Sequence, residues 1–245
     1  MPRVLVTNDD GIDSPGLHAL ARCALDLGWE TVVAAPGTES SGTSAGLTAA
    51  TDDRQVAVER RELDGLPEAY AVAAHPGLIA LIACNEGFGP RPDLLLSGVN
   101  RGANVGRAIL HSGTVGAALT AGINGVRAIA VSLDVALSGS DEPNWSRATA
   151  VIADLVPVVV DLAEGTVLNV NVPDRAEVGK ARRAALATYG RVQSRVNQLD
   201  DGRIEVTSVE VEGELEPDTD AALLADGHVT VTPLRSVSED DTLLP

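Results

Sequence analysis

Short apolar runs alternate with polar loops and helical patterns along most of the chain. The runs at 3–7 and 30–35 are rich in β-branched residues and typical of buried strands. Between them, leucine and alanine recur with helical spacing over 17–27, and Ser14 and Pro15 are the residue types that begin a helix. A strand, a helix and a second strand in this order predict a right-handed βαβ unit with parallel strands.

The same alternation continues through the middle of the chain. Further strands are predicted around 56–58, 69–72, 93–96, 128–131 and 167–172, and helices at about 78–88, 114–123 and 143–162. Buried strands that alternate with helices are typical of an open sheet with helices on both faces. The predicted fold class is therefore α/β, with a Rossmann-like, doubly wound, mainly parallel sheet built from residues 1–173.

The pattern changes after residue 173. Apolar and polar residues alternate around 204–211, and Asp201 and Gly202 precede them, which predicts a hairpin with its turn at this dipeptide. A last strand is predicted at 229–232. We interpret 174–245 as a β-rich arm of the same compact domain. Because its strand edges would be exposed in a monomer, the arm favours pairing with a second chain in a homodimer.

Composition and charge exclude several classes of protein. Hydrophobic residues make up 44% of the 245 residues, which is enough to build a core and excludes a disordered chain. The net charge of −17 repels phosphate polymers and argues against a nucleic-acid partner. Two cysteines provide neither a disulfide framework nor a four-cysteine zinc site. The sequence shows neither a signal peptide nor a bilayer-length apolar stretch, so we expect a cytoplasmic protein with no membrane partner.

Three polar loops that follow predicted strands carry the candidate chemistry. They lie at 8–14, 36–48 and 97–111. Ligands of open parallel sheets bind beyond the carboxyl ends of the strands, so these loops are expected to meet at one edge. Asp9 and Asp10 offer hard oxygen ligands that suit a divalent cation such as Mg²⁺, Mn²⁺ or Ca²⁺. A solvated Asp-Asp-Gly turn is the alternative interpretation.

The third loop and the helix after it indicate an anion site. The side chains of Asn100 and Asn104 are suited to completing a cation's coordination and to donating to phosphate oxygens, respectively. Ser112, Gly113 and Thr114 begin the next helix, where unpaired N–H groups and the helix dipole favour an anion. An ordinary glycine loop and a simple serine cap remain alternatives.

Three motifs can then be read together. They are VTNDDGIDSPG at 6–16, SSGTS at 40–44 and SGVNRGANVG with HSGTV between 97 and 115. Together they resemble the SurE family, divalent-metal-dependent phosphatases that act on nucleoside monophosphates. LNVNVP at 168–173 and the stretch ending at Leu234 extend the resemblance over nearly the whole chain.

The resemblance implies a set of site residues and an assembly. The metal ligands would be Asp9, Asp10, Ser41 and Asn100; the phosphate-binding residues would be Asn8, Asn104, Ser112, Gly113 and Thr114. The catalytic group would comprise Asp9, Asp10, Asn104 and Ser112. One divalent cation per subunit is expected, Mg²⁺ or Mn²⁺ with Ca²⁺ as a further option. The resemblance also implies a homodimer that exchanges its β-rich arm.

The sequence departs from the family pattern at several positions. Ala108 stands where the family usually has Asp, and 74–79 replaces a Gly-Thr-Pro-Ala-Asp-Cys stretch. Gly37 and Thr38 replace an Asp-Arg pair after the second strand. We expect these departures to affect the identity of the substrate and the catalytic rate more than the type of reaction. His111 has two candidate roles, protonating a leaving group or supporting the site by a hydrogen bond, and the second is preferred.

The resulting hypothesis is metal-assisted hydrolysis of a small phosphomonoester. Asp9 would orient or deprotonate the attacking water, and an aspartyl-phosphate intermediate is the less favoured alternative. Other open functions are a nucleoside N-ribohydrolase, a non-catalytic nucleotide or metal sensor, and a phosphatase for another phosphorylated metabolite. Aromatic residues are few, which leaves Trp145 or Tyr189 as stacking surfaces for a base.

Overall fold

A computed structural model describes residues 1–47, 55–135, 142–190, 192–199, 203–210 and 213–238. Its strands are β1 (Arg3–Thr7), β2 (Glu30–Pro36), β3 (Val58–Leu63), β4 (Leu66–Val72), β5 (Leu94–Arg101), β6 (Arg127–Asp134), β7 (Val167–Pro173), β8 (Gly179–Arg183), β9 (Val192–Gln198), β10 (Ile204–Glu210) and β11 (His228–Leu234). Its helices are α1 (Pro15–Asp26), α2 (Pro76–Cys84), α3 (Gly113–Ile123), α4 (Trp145–Val159) and α5 (Asp220–Ala225), and a 3-10 helix covers Gly106–His111.

Nine strands form one sheet in the order β3-β4-β2-β1-β5-β6-β7-β11-β8. The six strands from β4 to β7 in this order are parallel. Outside these six strands, β3 pairs antiparallel with β4 at one edge, β11 pairs antiparallel with β7, and β8 pairs parallel with β11 at the other edge. The chain winds outward from β1 in one direction and from β5 in the other, so the strand order reverses between these two neighbours. The predicted α/β fold class with a mainly parallel sheet is confirmed.

Both faces of the sheet are covered by helices, as the continuous apolar runs predict. Val4 and Val6 of β1 face a core that α1 and α4 close with Leu17 and Ile152. Leu5, which points to the other face, packs in a second core with side chains of α2 and α3. Successive residues of one strand therefore serve opposite layers, and the strand ends are the positions left for polar chemistry.

The main difference from the predicted elements lies in β5. The sequence predicts a strand that ends at 96 and a loop from 97, whereas the strand continues to Arg101. Ser97 pairs with Ala130 and Asn100 pairs with Ser132 of β6, with an irregularity in between. The polar residues and Gly98 interrupt the apolar run that marks the strand in the sequence, although the backbone continues to pair.

The region after 173 contributes to the main sheet as well as to a separate hairpin. β11 lies between β7 and β8 in the main sheet, whereas β9 and β10 form an antiparallel pair of their own. The predicted turn at Asp201 and Gly202 lies outside the described residues. The division at 173 stays a prediction. β8 and α5 were missed because β8 lacks apolar alternation and α5 has only 6 residues.

Candidate active site

The candidate site lies at the carboxyl ends of β1 and β5, where the strand order reverses. Asp9 and Asp10 directly follow β1, and Asn100 is the penultimate residue of β5. The loop after β2 reaches the same place, since the Ser40 amide donates to the Asp9 carbonyl oxygen at 2.8 Å. These elements and the starts of α1, α3 and α4 enclose a cleft of about 620 Å³. The predicted convergence of the three loops is therefore present.

Asp9 is held against the N-terminus of α3. Asp9 is 4% exposed, and its carboxylate accepts hydrogen bonds from the Thr114 backbone amide, at 3.1 Å, and from the Thr114 hydroxyl. Gly113 makes this approach possible, because a Cβ there would lie 2.8 Å from Asp9 Oδ2. Burial raises the pKa of Asp9, and the hydrogen bonds from Thr114 partly offset that effect.

Asp10 is the second carboxylate of the pair. Burial, and then the charge of neighbouring Asp9, raises the pKa of Asp10 to about 6. Its Oδ2 is buried and has no hydrogen-bond partner among the described residues. Two adjacent carboxylates with a buried acceptor that no donor satisfies are costly to keep ionised. A divalent cation would remove both costs, so this donor set fits the ion that the sequence predicts.

Asn100 and Ser41 supply the other two predicted metal ligands. The Asn100 amide donates from Nδ2 to the Gly102 carbonyl at 2.7 Å, and its Oδ1 lies 3.3 Å from the Thr114 hydroxyl oxygen, whose proton is directed to Asp9. Ser41 lines the cleft and donates its hydroxyl to Glu39 at 2.8 Å. Across the described ranges, no three His, Cys, Asp or Glu side chains cluster as a metal site, so the candidate centre combines carboxylates with amide and hydroxyl oxygens.

Asn104 is fixed by a polar network on the sheet. Its backbone amide donates to Asn171 Oδ1 at 2.8 Å, and its backbone carbonyl accepts from the side chains of Asn169 and Asn171 at 2.8 and 2.9 Å. The Asn104 side chain donates to the Ser132 hydroxyl at 2.8 Å. Because a serine hydroxyl both donates and accepts, the Asn104 amide can present either of its ends to the cleft. The two asparagines of LNVNVP thus support a residue of the site.

Of the predicted phosphate-binding residues, Asn104 and Ser112 line the cleft. Ser112 is the N-cap of α3, and its Oγ accepts from the Val115 amide at 3.1 Å, which leaves the hydroxyl proton for a ligand. Asn8 does not line the cleft; its side chain is buried and makes two hydrogen bonds with the Gly11 backbone. Gly113 and Thr114 lie behind Asp9, and the Thr114 donors are directed to that carboxylate.

Several lining residues were missed or left open by the sequence analysis. Glu39, Arg101 and Pro15 line the cleft, and no motif marked them as site residues. Ala108 and His111 line it from the 3-10 helix. The departing stretch at 74–79 begins α2 instead and packs under the loop after β2, where a Cβ on Gly77 would lie 2.9 Å from the Ala45 carbonyl carbon. The residues that line the cleft are recognised only from the structure, because they come from segments that are distant in the sequence.

Comparisons with known proteins agree with this architecture. Residues 4–195 match the family described as Survival protein SurE. The chain is 34% identical to 5'-nucleotidase SurE of Rhodopirellula baltica, over 98% of this chain and 96% of that protein. It is 35% identical to 5'-nucleotidase SurE 1 of Burkholderia lata, over 99% and 93% of the two chains. The crystal structure of the SurE protein from Aquifex aeolicus superposes with a TM-score of 0.81, at 28% identity, and covers 99% of this chain and 97% of that chain. The protein belongs to the SurE family.

Proposed function

We propose that this protein is a divalent-metal-dependent phosphomonoesterase that hydrolyses nucleoside monophosphates. One observation carries the proposal: the cleft at the strand-order reversal holds the carboxylates of Asp9 and Asp10 together with the hydroxyl of Ser112 at the start of α3. A cation site beside donors for an anion is the arrangement that phosphoryl chemistry needs. The relatives named 5'-nucleotidase support the same substrate class.

The proposed cation ligands are Asp9, Asp10, Ser41 and Asn100. The ion is Mg²⁺ or Mn²⁺, with Ca²⁺ as the further option, because all four side chains offer hard oxygen ligands. When bound, such an ion offsets the negative charge of the phosphoryl group and lowers the pKa of water.

The other roles belong to the chain itself. Ser112 donates its hydroxyl proton to a phosphate oxygen, and Asn104 contacts a second oxygen through its amide. Asp9 orients the attacking water and accepts its proton on a carboxylate oxygen, while Thr114 holds that carboxylate in place. As the water oxygen bonds to phosphorus, the bond from phosphorus to the nucleoside oxygen breaks, and that oxygen takes up a proton from solvent. Asn8 and Gly113, predicted as phosphate ligands, are assigned supporting roles: Asn8 shapes the loop, and Gly113 gives Asp9 room.

The decisive experiment measures phosphate release from nucleoside monophosphates with added Mn²⁺ or Mg²⁺, with and without EDTA. We expect activity that EDTA abolishes, and a loss of at least about 100-fold in Asp10→Asn, because the variant removes a charged ligand. Asp13→Asn is the matched control, since Asp13 is exposed in the same loop. Full activity in Asp10→Asn would place the site elsewhere.

The same reactions separate the alternatives. Release of free base instead of phosphate would identify a nucleoside N-ribohydrolase, and calorimetric binding without turnover would identify a sensor. Sugar phosphates in the substrate panel test for another phosphorylated metabolite. Phosphate covalently attached to the enzyme after a single turnover would replace direct attack by water with an aspartyl-phosphate intermediate.

The homodimer is the second part of the proposal. β9 and β10 stand apart from the main sheet, and their paired Val196 and Val206, with Ile204 on the same face, are 64%, 64% and 66% exposed. An exposed apolar face on a two-stranded sheet is unstable alone, which favours exchange with a second copy. Light scattering would give twice the 25.2 kDa chain mass, and a monomer would refute the exchange.

The cytoplasmic location that the sequence suggests is also proposed. Within the described part of the chain, no helix is long and apolar enough to cross a membrane. Fractionation of cells that express the protein would test the location directly, and recovery with the membranes would contradict it.

A further inference from the structure

The cleft is larger than a cation and a phosphate group require. Its volume of about 620 Å³ lies within the range of pockets that bind whole small molecules. The candidate cation ligands and Ser112 account for the part that would hold an ion and a phosphate. A further part of the lining comes from the start of α1 and the start of α4, where Pro15 and Trp145 line the cleft. Together with Ala108, these side chains give the cleft its apolar surface, which is available to the group that carries the phosphate.

Trp145 is the one indole or phenyl side chain among the described residues that line this cleft. Tyr70 and Phe88 stack on each other elsewhere, with ring centroids 5.5 Å apart. Tyr189, the other stacking candidate of the sequence, is 68% exposed and does not line the cleft. The structure thus separates two residues that the sequence could not rank.

The position of the indole is set by α1. A Cβ at Gly16 would lie 3.0 and 3.2 Å from Cζ3 and Cε3 of Trp145, so the six-membered ring packs against the first turn of this helix. The side chain is only partly buried, and it also contacts the core between α1 and α4. A ring held by packing on one side and open to a cleft on the other is preorganised for stacking, because little side-chain entropy remains to be lost.

We infer that Trp145 stacks on the planar base of the substrate and is a specificity-determining residue of this enzyme. The inference rests on the proposed phosphomonoesterase activity and deepens it by naming the residue that recognises the base, which is carried by the sugar alcohol that leaves the phosphate. An uncharged, flat partner also suits this part of the lining, because the side chains of Pro15 and Trp145 carry no charge.

The kinetic test compares adenosine 5'-monophosphate with ribose 5-phosphate, which carries the same ester without a base. We divide kcat/KM for adenosine 5'-monophosphate by kcat/KM for ribose 5-phosphate. In Trp145→Leu this ratio should fall about 5- to 100-fold, the usual loss when a stacked aromatic side chain is removed. Trp145→Phe should restore most of the ratio. A ratio that stays within about twofold of the wild-type value would overturn the inference. This includes the case in which both substrates lose kcat/KM equally, which would indicate that Trp145 acts through packing or contact with the sugar.

A binding test works without turnover, and its first variant leaves the cleft unchanged. The chain has 2 tryptophans, and Trp29 precedes β2 at the opposite edge of the sheet. In Trp29→Phe, Trp145 is therefore the remaining indole, and adenosine with Mg²⁺ should quench its fluorescence to saturation. Trp145→Phe, which retains Trp29, should show no quenching. Absent quenching in the first variant would refute stacking, whereas a wild type that quenches but releases no phosphate from either ester would refute only the proposed activity.

Discussion

Gly113→Ala is the sharpest test of how the site is built, because helix propensity and packing predict opposite results. A glycine-to-alanine change within a helix usually stabilises it by up to about 1 kcal/mol. At this position, however, the new Cβ would lie 2.9 Å from Asp9 Cβ and 3.1 Å from Thr43 Oγ1. Carbon atoms prefer a separation of about 3.5–4.0 Å, so Asp9 must move by roughly 0.6–1 Å.

Two effects follow from that displacement. Overpacking costs about 1–3 kcal/mol, and after a propensity gain of about 1 kcal/mol is subtracted the variant is expected to be less stable by roughly 0–2 kcal/mol. A misplacement of about 1 Å in a catalytic group lowers kcat/KM by roughly 100-fold. Urea unfolding monitored by circular dichroism measures the first effect, and Mn²⁺-supported phosphate release measures the second.

Gly37→Ala provides the matched control for this experiment. Gly37 follows β2 at the same end of the sheet, and a Cβ there would have no atom within 4 Å. This variant should keep both its stability and its activity. A Gly113→Ala protein as stable and as active as Gly37→Ala would show that Asp9 is not confined by α3 in the way described.

Two further predictions concern the supports of the site. The Asp220 carboxylate accepts from the amides of Gly106, Ala187 and Ala221 at 2.8, 3.0 and 2.8 Å, so it ties the 3-10 helix to the start of α5. Asp220→Asn replaces one acceptor by a donor and should lower the free energy of unfolding by about 1–3 kcal/mol, whereas Asp226→Asn on the exposed end of α5 should not; equal stability of the two variants would contradict this role. Ser112→Ala removes the α3 cap, at a cost of about 0.5–2 kcal/mol, and should also lower kcat/KM for phosphate release by about 100-fold. Ser112→Thr keeps a hydroxyl and should recover the stability. An alanine variant with wild-type kinetics would exclude Ser112 from phosphate binding.

The sequence predicts the fold and the convergence of the three polar loops because both depend on local patterns. Short β-branched runs with polar ends identify β1 and β2, and the convergence of their loops follows from the geometry of parallel sheets. Asp9, Asp10 and Asn100 meet at one cleft for this reason. The end of β5 could not be predicted in the same way, because its last residues are polar and therefore do not continue the apolar pattern that marks a buried strand.

The connections within the site were not predictable, because they join distant residues. Thr114 begins a helix with donors suited to an anion, and the sequence assigns them to phosphate, whereas they hold the carboxylate of Asp9. Nothing local distinguishes these two acceptors. Likewise, Asn169 and Asn171 look like polar residues in a buried strand until the structure shows them bound to Asn104, more than sixty positions earlier.

The position of β11 has a consequence for biosynthesis. This strand is the last one described, yet it lies inside the sheet between β7 and β8. While the ribosome is still translating residues 174–227, the outer edge of β7 has no neighbour. We therefore expect the nascent chain to complete its sheet only after residue 234 has left the exit tunnel, and to depend until then on chaperones that shield the open edge.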